Sequence, residues 1–532
     1  MLQKIEILNY RCFERFSLDF TDGLNVIVGD NETGKSTILE AVRLALTGRL
    51  GARWLSNVIS PHHVNQTAAA EFVSRIRKGE QAPAPEVIID LYLRRGDDTE
   101  RLRGTNNLTL EDEPGLRVRA ALDRGFEAEY QQFISDPGET TLVPIEYYKV
   151  EWLSFAGGAV TARSIPASVS RIDASAIRLQ SGADYYMQRI IEDHLAVNER
   201  VEVTRAYRTL REAFSRTPSI ETINNALEAS AAGLTEQRLS LSLDVSHRTA
   251  WETSLTPHLD ELPFQYVGDG GQNALKILLA LERTAETSHV VLIEEPENHL
   301  SPTALNQLVR RIAERCEGKQ VLVSTHSSFV LNKLGLDNLI LLSDGQCMRL
   351  KELPADTLDY FKKLSGYDTL RLVLAESAIL VEGPSDELIV QRAFLDVHGC
   401  LPIEKGVDVI NVRGLSFKRF LDIAIRLNKR VRVITDNDGG SADDVRGRFD
   451  DYTADGRITI HAGREDAGST LEPQMLASAG REALNAALGT SFAADSELVA
   501  SMEGDKTAWA LRVFESELKV SMPDYIIEAI EP

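Results

Sequence analysis

The sequence predicts an α/β protein in which buried parallel strands alternate with helices, and three stretches support this prediction. An apolar run at residues 24–28 leads through a glycine-containing loop to helically spaced apolar residues that extend to residue 46. A second apolar strand at 289–293 leads through a helix to another at 320–324, and the same alternation begins again at residue 377. Short apolar runs separated by helices are typical of parallel sheets that are covered on both faces.

Composition limits the function classes. At 532 residues the chain is too long for one ordinary core, so we expect two or more domains. The formal net charge of −22 argues against a protein that coats nucleic acid through bulk charge, but not against a nucleic-acid enzyme. Because no run is long enough to span a bilayer, no signal-peptide pattern is present and the cysteines form no C-x-x-C pair, we expect a cytoplasmic protein without a membrane partner.

The loop at residues 29–37 (GDNETGKST) matches the phosphate-binding pattern G-x-x-x-x-G-K-[ST]. Free backbone N–H groups at the start of a helix, together with the helix dipole, favour phosphate oxygens. We expect Lys35 to reach the β and γ phosphates of ATP or GTP and the Ser36 hydroxyl to ligate Mg²⁺. A turn that binds nothing is disfavoured, because strand, loop, lysine and helix are all in place. The nucleotide-binding residues assigned here are Gly29, Asn31, Gly34, Lys35, Ser36 and Thr37.

The first part of the chain also predicts an antiparallel β lobe and a helical segment. Strand patterns occur at residues 4–8, 16–20, 87–93, 116–122 and 145–153, and helical patterns at 185–214 and from 218 to about 233. The helical segment either supplies a dimer interface or packs on its own sheet. Arginines concentrated between residues 94 and 124 either bind DNA or form charged edges of hairpins.

Polar residues follow both strands of the central strand–helix–strand unit. Glu294 and Glu295 come directly after the first strand, and His326 follows the second. Because the carboxyl ends of parallel strands share one edge, we expect these side chains to face the phosphate-binding loop. Glu294 would hold Mg²⁺ through its water, and Glu295 would orient or deprotonate the attacking water. A pair of glutamates at a strand end is otherwise usually a solvated edge.

The order of these motifs resembles the ABC-type ATPase heads of the SMC and RecF group, and Arg11 matches an arginine that lies near the nucleotide there. The resemblance implies a head-to-tail dimer around ATP, in which Gly270, Gly271 and Gln272 contact the nucleotide of the opposite subunit. It also makes residues 298–301 the D-loop and His326 the switch histidine near the γ-phosphate. Glu294 departs from the pattern, because aspartate is usual there, and no Q-loop glutamine is evident.

A second acidic site is predicted after residue 377. Glu382 ends one strand, Asp386 lies at the start of the following helix, and Asp436 and Asp438 end another strand. These carboxylates should converge at one sheet edge, where they repel unless cations neutralise them. Oxygen ligands at an open edge suit two Mg²⁺ or Mn²⁺ ions acting on a phosphodiester. The pattern E-G-x-x-D…D-x-D-G is similar to the Toprim domain.

An ABC-type head followed by Toprim resembles the OLD (overcoming lysogenisation defect) family of ATP-dependent endonucleases over nearly the whole chain. The resemblance implies that Glu472 is a further metal ligand and that Lys506 stabilises the scissile phosphate. Both residues also fit ordinary surface charges. It further implies a DNA endonuclease regulated by the ATPase head, acting in antiphage defence or DNA processing, with an accessory defence protein as a candidate partner. We expect a homodimer or higher oligomer formed through the heads and the helical segment.

An alternative is a RecF-like DNA-binding ATPase whose Toprim domain does not cleave. A topoisomerase is disfavoured because the chain has no room for a separate domain with a tyrosine nucleophile, and a primase because it has no zinc-ribbon cysteines. The predicted division is an ATPase N-terminal part at 1–173, a helical insertion at 174–234, an ATPase C-terminal part at 235–373 and a Toprim nuclease domain at 374–532.

Overall fold

The computed structural model of the chain describes a defined set of residues, to which every structural statement refers. Ser328, Cys316 and the first part of the helix predicted at 185–214 lie outside this set. Among the described residues, no helix combines the length and hydropathy that crossing a bilayer needs. The described residues are 1–51, 53–173, 195–231, 241, 258–282, 288–315, 318–327, 338–343, 345–349, 352, 354, 357, 371–372, 375–412, 417–454 and 456–531.

The strands and helices are numbered in chain order within the described residues. The strands are β1 (Leu2–Tyr10), β2 (Phe13–Asp19), β3 (Leu24–Val28), β4 (Arg49–Leu50), β5 (Arg53–Trp54), β6 (Val87–Leu93), β7 (Arg103–Gly104), β8 (Glu113–Leu122), β9 (Tyr148–Ser154), β10 (Ala167–Asp173), β11 (His258–Leu259), β12 (Leu262–Pro263), β13 (Ser288–Glu294), β14 (Lys319–Thr325), β15 (Leu339–Ser343), β16 (Gln346–Arg349), β17 (Ser377–Val381), β18 (Val407–Asn411), β19 (Arg430–Thr435) and β20 (Ile458–Ala462). The helices are α1 (Lys35–Thr47), α2 (Gln66–Arg77), α3 (Glu127–Ser135), α4 (Val197–Ser215), α5 (Pro218–Ala231), α6 (Asp269–Glu282), α7 (Pro302–Arg315), α8 (Pro384–His398), α9 (Phe417–Arg426), α10 (Ala442–Gly447), α11 (Asp450–Thr453), α12 (Leu471–Ala479), α13 (Arg481–Leu488), α14 (Asp495–Gly504), α15 (Lys506–Glu515) and α16 (Asp524–Ile530).

An antiparallel sheet and a mainly parallel sheet form the first part of the fold. The antiparallel sheet has the strand order β2-β1-β6-β8-β7, with β9 paired to β8. The second sheet has the order β10-β13-β14-β3-β15-β16, in which β13, β14, β3 and β15 run parallel. Helix α1 contacts β6 and β8 of the first sheet and β13 and β14 of the second. The predicted antiparallel lobe and α/β sheet are therefore confirmed.

Strand β3 occupies an inner position of the parallel sheet, which explains its composition. It pairs with β14 on one side and with β15 on the other, and all five of its residues are buried. A strand buried on both faces needs a continuous apolar sequence rather than an alternating one. The same edge of the sheet carries the residues that follow β3, β13 and β14, which are the phosphate-binding loop, Glu295 and His326.

The last part of the chain forms a separate parallel sheet. Its order is β18-β17-β19-β20, and every neighbouring pair is parallel. Helix α8 packs against α15 and α16, and the apolar core includes Ile379, Ile389 and Trp509. Strand β20 was not predicted, because Thr459 and His461 interrupt its short apolar pattern. The predicted parallel Toprim sheet is confirmed.

Contacts along the chain divide it into two compact units. One contains Met1–Arg171, Ala285–Glu295 and Cys316–Pro532, and the other contains Ile172–Thr284 and Pro296–Arg315. Within the second unit the described residues are mainly helical, and α6 packs against α7. The four-part division predicted from the sequence stays a prediction.

Most of the arginine-rich region between residues 94 and 124 is paired with carboxylates. Arg95 contacts Glu113 at 2.8 Å, and Arg119 contacts Glu86 at 2.6 Å. Arg117 is buried and holds the fully buried Asp90 through two hydrogen bonds of 2.7 and 2.6 Å. This pairing favours the interpretation as charged sheet edges over a DNA-binding patch.

We predict that Arg117→Leu strongly destabilises the antiparallel sheet. Removing the guanidinium leaves the Asp90 carboxylate buried without its ionic partner, which typically costs about 3–5 kcal/mol. The matched change Arg95→Leu breaks an exposed pair, which water and salt screen, so it should leave the denaturant midpoint close to that of the wild type. Denaturant midpoints of the two full-length variants provide the measurement, and equal midpoints would contradict the prediction.

Candidate nucleotide and metal sites

Glycines shape the phosphate-binding loop at two positions where the backbone passes close to other groups. Gly34 precedes α1 with a φ of +103°, and a Cβ there would lie 2.4 Å from Cζ of Phe13. At Gly29 a Cβ would lie 2.4 Å from the carbonyl oxygen of Leu342 on β15. Both positions therefore exclude a side chain, and the loop can lie tightly over the start of the helix.

Lys35 is buried at the base of this loop. Its ammonium donates hydrogen bonds to the carbonyl oxygens of Gly29, at 2.9 Å, and Asp30, at 2.6 Å. The loop's own carbonyls thus satisfy a charge that would otherwise be costly to bury. Phosphate oxygens are stronger partners for an ammonium than neutral carbonyls, so the arrangement suits an anionic ligand.

A cavity of about 520 Å³ opens beside the loop. It brings together most of the predicted residues of the phosphate-binding loop. Gly29 is not among the lining residues, but its carbonyl oxygen accepts the hydrogen bond from Lys35. The predicted residues that line it are Arg11, Asn31, Gly34, Lys35, Ser36, Thr37 and Glu295. The lining residues that the sequence analysis missed are Cys12, Glu32, His62, Val64, Asn65, Gln66 and Thr67.

Most of the lining residues that the sequence analysis missed belong to one segment, which leads into helix α2. The Asn65 side chain caps this helix by accepting hydrogen bonds from the backbone N–H groups of Thr67 and Ala68. It also donates to the carbonyl oxygen of Arg11 at 2.9 Å. An asparagine at this position could have predicted the start of the helix from the sequence. The position of the segment beside the cavity, however, follows from the hydrogen bond between Asn65 and Arg11, which are far apart in sequence.

Arg11 is fixed beside the cavity by its contacts with α1. Its Nε lies 2.8 Å from Oε1 of Glu40, the same oxygen that accepts a 2.6 Å hydrogen bond from the Tyr10 hydroxyl. The Arg11 backbone has a φ of +50°, and its N–H donates to the carbonyl oxygen of His63. A left-handed conformation at a residue with a side chain is strained, so these contacts hold it in place.

The two glutamates after β13 have different surroundings. Glu294 is buried and accepts a 2.5 Å hydrogen bond from Arg171, and it does not line the cavity. Glu295 does line it, with a φ of +47° and a backbone N–H that donates to the Ser324 carbonyl. Nδ1 of His326 lies 3.6 Å from Oε1 of Glu295. The structure thus brings Glu295 and His326 together, while the Mg²⁺ role of Glu294 stays a prediction.

The Gly270–Gln272 segment lies at the start of α6 in the second compact unit. A Cβ on Gly270 would lie 2.2 Å from the His299 carbonyl oxygen. The close approach of this segment to residues 298–301, the predicted D-loop, therefore requires glycine at position 270. The Gln272 side chain donates a 2.7 Å hydrogen bond to the Val267 carbonyl. The predicted contact of these residues with a partner subunit's nucleotide stays a prediction.

At the Toprim sheet, backbone and side-chain donors hold the first two carboxylates. Oε1 of Glu382 accepts hydrogen bonds from the Thr435 hydroxyl, at 2.5 Å, and from the Asp436 backbone N–H, at 3.0 Å. Oδ2 of Asp386 accepts one from the Gly383 backbone N–H at 3.1 Å, which caps helix α8. The bonds to Glu382 connect the ends of β17 and β19 directly, whereas the Asp386 bond lies at the start of α8.

The carboxylates of this edge lie within electrostatic reach of one another. Burial raises the pKa of Asp386 to about 7, and the nearby charges of Glu382 and Glu472 add to the effect. Burial likewise raises the pKa of Asp436 to about 8, followed by the charges of Asp386, Glu382, Glu472 and Asp438. The structure therefore places the predicted Glu472 in the cluster, where it is buried at the start of α12.

The sequence analysis assigned two further residues to this site, Asp438 and Lys506. The Asp438 side chain is 69% exposed and lies 3.7 Å from Arg448. Lys506 is the first residue of α15, and its side chain lies outside the described part of the structure.

The donor set of the cluster suits a hard divalent cation. Within the described residues, no group of three or more histidine, cysteine, aspartate or glutamate side chains has an arrangement that would hold a metal ion as it stands. The cluster is nonetheless made entirely of carboxylates, whose oxygens suit Mg²⁺ or Mn²⁺. Neighbouring, partly buried carboxylates with raised pKa values are what a divalent cation would stabilise. Glu382, Asp386, Asp436 and Glu472 are the residues that would hold it.

The fold and these two sites define a P-loop ATPase domain joined to a Toprim domain. A family model described as "AAA domain, putative AbiEii toxin, Type IV TA system" matches residues 24–332, and the chain belongs to this family. A second model, "Overcoming lysogenization defect protein-like, TOPRIM domain", matches residues 373–438. The predicted resemblance to an ATPase head followed by an OLD-like Toprim domain is confirmed.

Individual relatives match to different extents. Endonuclease GajA of Bacillus cereus is 21% identical over 482 residues, covering 84% of this chain and 76% of the relative. RecF, the DNA replication and repair protein of Thioalkalivibrio sulfidiphilus, is 32% identical over 114 residues, covering 21% of this chain and 30% of the relative. Among solved structures, a Pyrococcus furiosus Smc head is 14% identical at a TM-score of 0.34, covering 68% of this chain and 99% of that chain.

We predict that Asp436→Asn stabilises the metal-free protein. An acid whose pKa is raised in the folded state destabilises that state progressively as pH rises from its unfolded value near 4 towards its folded value of about 8. The substitution removes this penalty, so the melting temperature in EDTA should exceed that of the wild type at pH 8. The difference should shrink towards pH 5.

The control for this prediction is Asp443→Asn, whose carboxylate is 91% exposed and should leave the melting temperature unchanged. A melting temperature of Asp436→Asn at or below that of the wild type at pH 8 would contradict the prediction.

Proposed function

We propose that this chain is an ATP-dependent DNA endonuclease, in which the P-loop domain binds and hydrolyses ATP and regulates cleavage at the Toprim site. The observation that carries the proposal is the presence, on one chain, of the cavity around Lys35 and the partly buried carboxylate cluster around Glu382. The match to a protein named as an endonuclease over 84% of the chain supports it.

In the ATPase half, the residues in and around the cavity have distinct roles. Lys35 exchanges the carbonyl oxygens of Gly29 and Asp30 for β and γ phosphate oxygens, and Ser36 ligates Mg²⁺. Glu295 orients the attacking water or accepts its proton, and His326 lies beside it to contact the γ-phosphate. Glu294 contributes to Mg²⁺ binding through water. Gly270, Gly271 and Gln272 of a second copy complete the site, which makes the active form a homodimer or a higher oligomer.

In the Toprim half, carboxylates hold the metal ions that act on DNA. Glu382, Asp386, Asp436, Asp438 and Glu472 provide oxygen ligands for two Mg²⁺ or Mn²⁺ ions. The ions would supply charge stabilisation for the attacking and leaving oxygens of a phosphodiester. Lys506 stabilises the negative charge on the scissile phosphate. Defence against phage, with an accessory protein, or the processing of DNA is the biological setting we propose.

Two observations favour a second candidate function. The described residues include no ready-made group of three metal ligands, and the chain also matches RecF at 32% identity over 114 residues. A DNA-binding ATPase with a non-cleaving Toprim domain would fit both facts. The two candidates differ in whether DNA is cut.

The test is incubation of supercoiled and linear DNA with wild type and Glu382→Ala, across Mg²⁺ and Mn²⁺ and with or without ATP. We expect the wild type to nick or cleave, and Glu382→Ala to lose at least about a hundredfold in rate, because it removes both a ligand and the bond to Thr435. Asp443→Ala is the matched acidic control and should cut normally. Equal survival of DNA with wild type and Glu382→Ala under every condition would favour the non-cleaving candidate.

A second prediction concerns the P-loop. Lys35→Ala should reduce ATP hydrolysis by roughly a hundredfold to a thousandfold, the usual effect of removing one donor that stabilises developing charge. Lys78→Ala, which removes an exposed lysine at the end of α2, should hydrolyse ATP at the wild-type rate. Phosphate release measured with the full chain is the assay. Full activity in Lys35→Ala would show that the cavity is not the hydrolytic site.

A further inference from the structure

Asn437 lies between the two acidic residues that follow β19, and it is almost completely buried. Its Oδ1 accepts a 2.8 Å hydrogen bond from the Gly439 backbone N–H, which shapes the acidic turn. Its Nδ2 points the other way and donates to carbonyl oxygens of the loop that follows β20. These are the oxygens of Gly463, Arg464 and Gly468, at 3.3, 2.9 and 2.9 Å.

Gln474 holds the same loop from the opposite side. This residue is buried on helix α12, two positions after Glu472. Its Nε2 donates to the carbonyl oxygens of Arg464 and Gly468, both at 2.5 Å, and its Oε1 accepts from the Arg464 backbone N–H at 3.2 Å. Two carbonyl oxygens are therefore shared by the two side-chain amides.

The loop leaves little room for another arrangement. A Cβ on Gly463 would lie 3.0 Å from the Gln474 side chain, and one on Gly468 would lie 2.6 Å from Pro473. Gly468 also has a φ of +106°, a conformation that favours glycine. The loop from Gly463 to Gly468 is thus closely fitted to both amides, and we call this set of hydrogen bonds the amide clamp.

The amide clamp joins the two parts of the chain that carry acidic residues on this side of the sheet. One end is the turn with Asp436 and Asp438, and the other is the first turn of α12 with Glu472. Apolar contacts of Leu471 and Met475 already hold α12 in the core, so its packing does not require buried amides. Hydrogen bonds fix orientation far more narrowly than apolar contacts do, and partners behind metal ligands commonly serve that purpose.

We propose that Asn437 and Gln474 are positioning residues that set the Glu472 carboxylate against Asp436 for binding a divalent cation. The inference rests on the proposed nuclease function of this edge. Neither amide needs to touch the metal ion or DNA. Loss of either one should let the loop and α12 shift, so that Glu472 contributes less to the site.

The experiment compares full-length wild type with Gln474→Met and Asn437→Ser, which remove the clamp from opposite sides. Ser478→Ala is the control on the same helix, because the Ser478 hydroxyl donates to the Gln474 backbone carbonyl and not to its side-chain amide. Mn²⁺ binding is measured by calorimetry, and Glu382→Ala defines the part that belongs to this edge. Hydrogen exchange of residues 463–474 and the Mn²⁺ concentration for half-maximal cleavage are measured on the same samples.

We expect both clamp variants to weaken the Glu382-dependent Mn²⁺ affinity by about 10- to 100-fold, with faster exchange in the loop and a matching shift in the cleavage midpoint. Ser478→Ala should behave as the wild type. Faster exchange with Mn²⁺ affinity within about twofold of wild type would overturn the proposal, because the clamp would then only stabilise the fold. Unchanged exchange would overturn it as well.

Failure of the nuclease function itself gives a different result, namely no Glu382-dependent Mn²⁺ binding and no cleavage by the wild type. If one of the two clamp variants does not fold, the Mn²⁺ affinity and hydrogen exchange of the other test the proposal. Each variant removes the hydrogen bonds that one side-chain amide donates to the shared carbonyl oxygens.

Discussion

Helix α1 packs between the antiparallel sheet and the parallel sheet, and the nucleotide cavity depends on this packing. Its buried residues include Ile38, Leu39 and Val42, which share a core with strands of both sheets. The helix N-terminus is thereby fixed above the carboxyl edge of β3, and Glu40 on the same helix anchors Arg11 and Tyr10. Helix α1 thus positions both the backbone N–H groups of the predicted phosphate-binding loop and Arg11, which follows β1 of the antiparallel sheet.

At the edge of the Toprim sheet, the side chains of the predicted site repel one another, whereas the packing around α1 is stabilising. Burial raises the pKa values of Asp386 and Asp436, and the charges of Glu382 and Glu472 add to the effect, which works against stability in the absence of a cation. Backbone N–H groups, the Thr435 hydroxyl and the amide clamp hold the carboxylates in spite of this. Such storage of unfavourable interactions is common at sites that bind metal ions or catalyse reactions.

Much of the fold was predictable because local patterns and tertiary packing agree. The apolar runs at 24–28, 87–93 and 377–381 are strands with those same bounds, and parallel-strand geometry placed Glu295 and His326 at one edge. Other features required distant partners. Three of these features depend on contacts between residues far apart in sequence, namely the cavity wall next to α2, the Arg171 partner of Glu294 and the bonds of Asn437. The bonds of Gln474 reach only six and ten residues back along the chain. The hydrophobic periodicity of a sequence does not predict contacts between distant residues.

The sequence by itself determined the class of both sites, because a phosphate-binding loop and acidic strand ends are short motifs whose chemistry is local. It also determined the order of domains and the parallel strands that carry them. Only the tertiary structure decided which glutamate after β13 faces the nucleotide cavity, that the arginine-rich strands are neutralised by carboxylates, and that Glu472 joins the acidic cluster. Those outcomes depend on burial and on pairing across the fold, which arise when the sheets assemble.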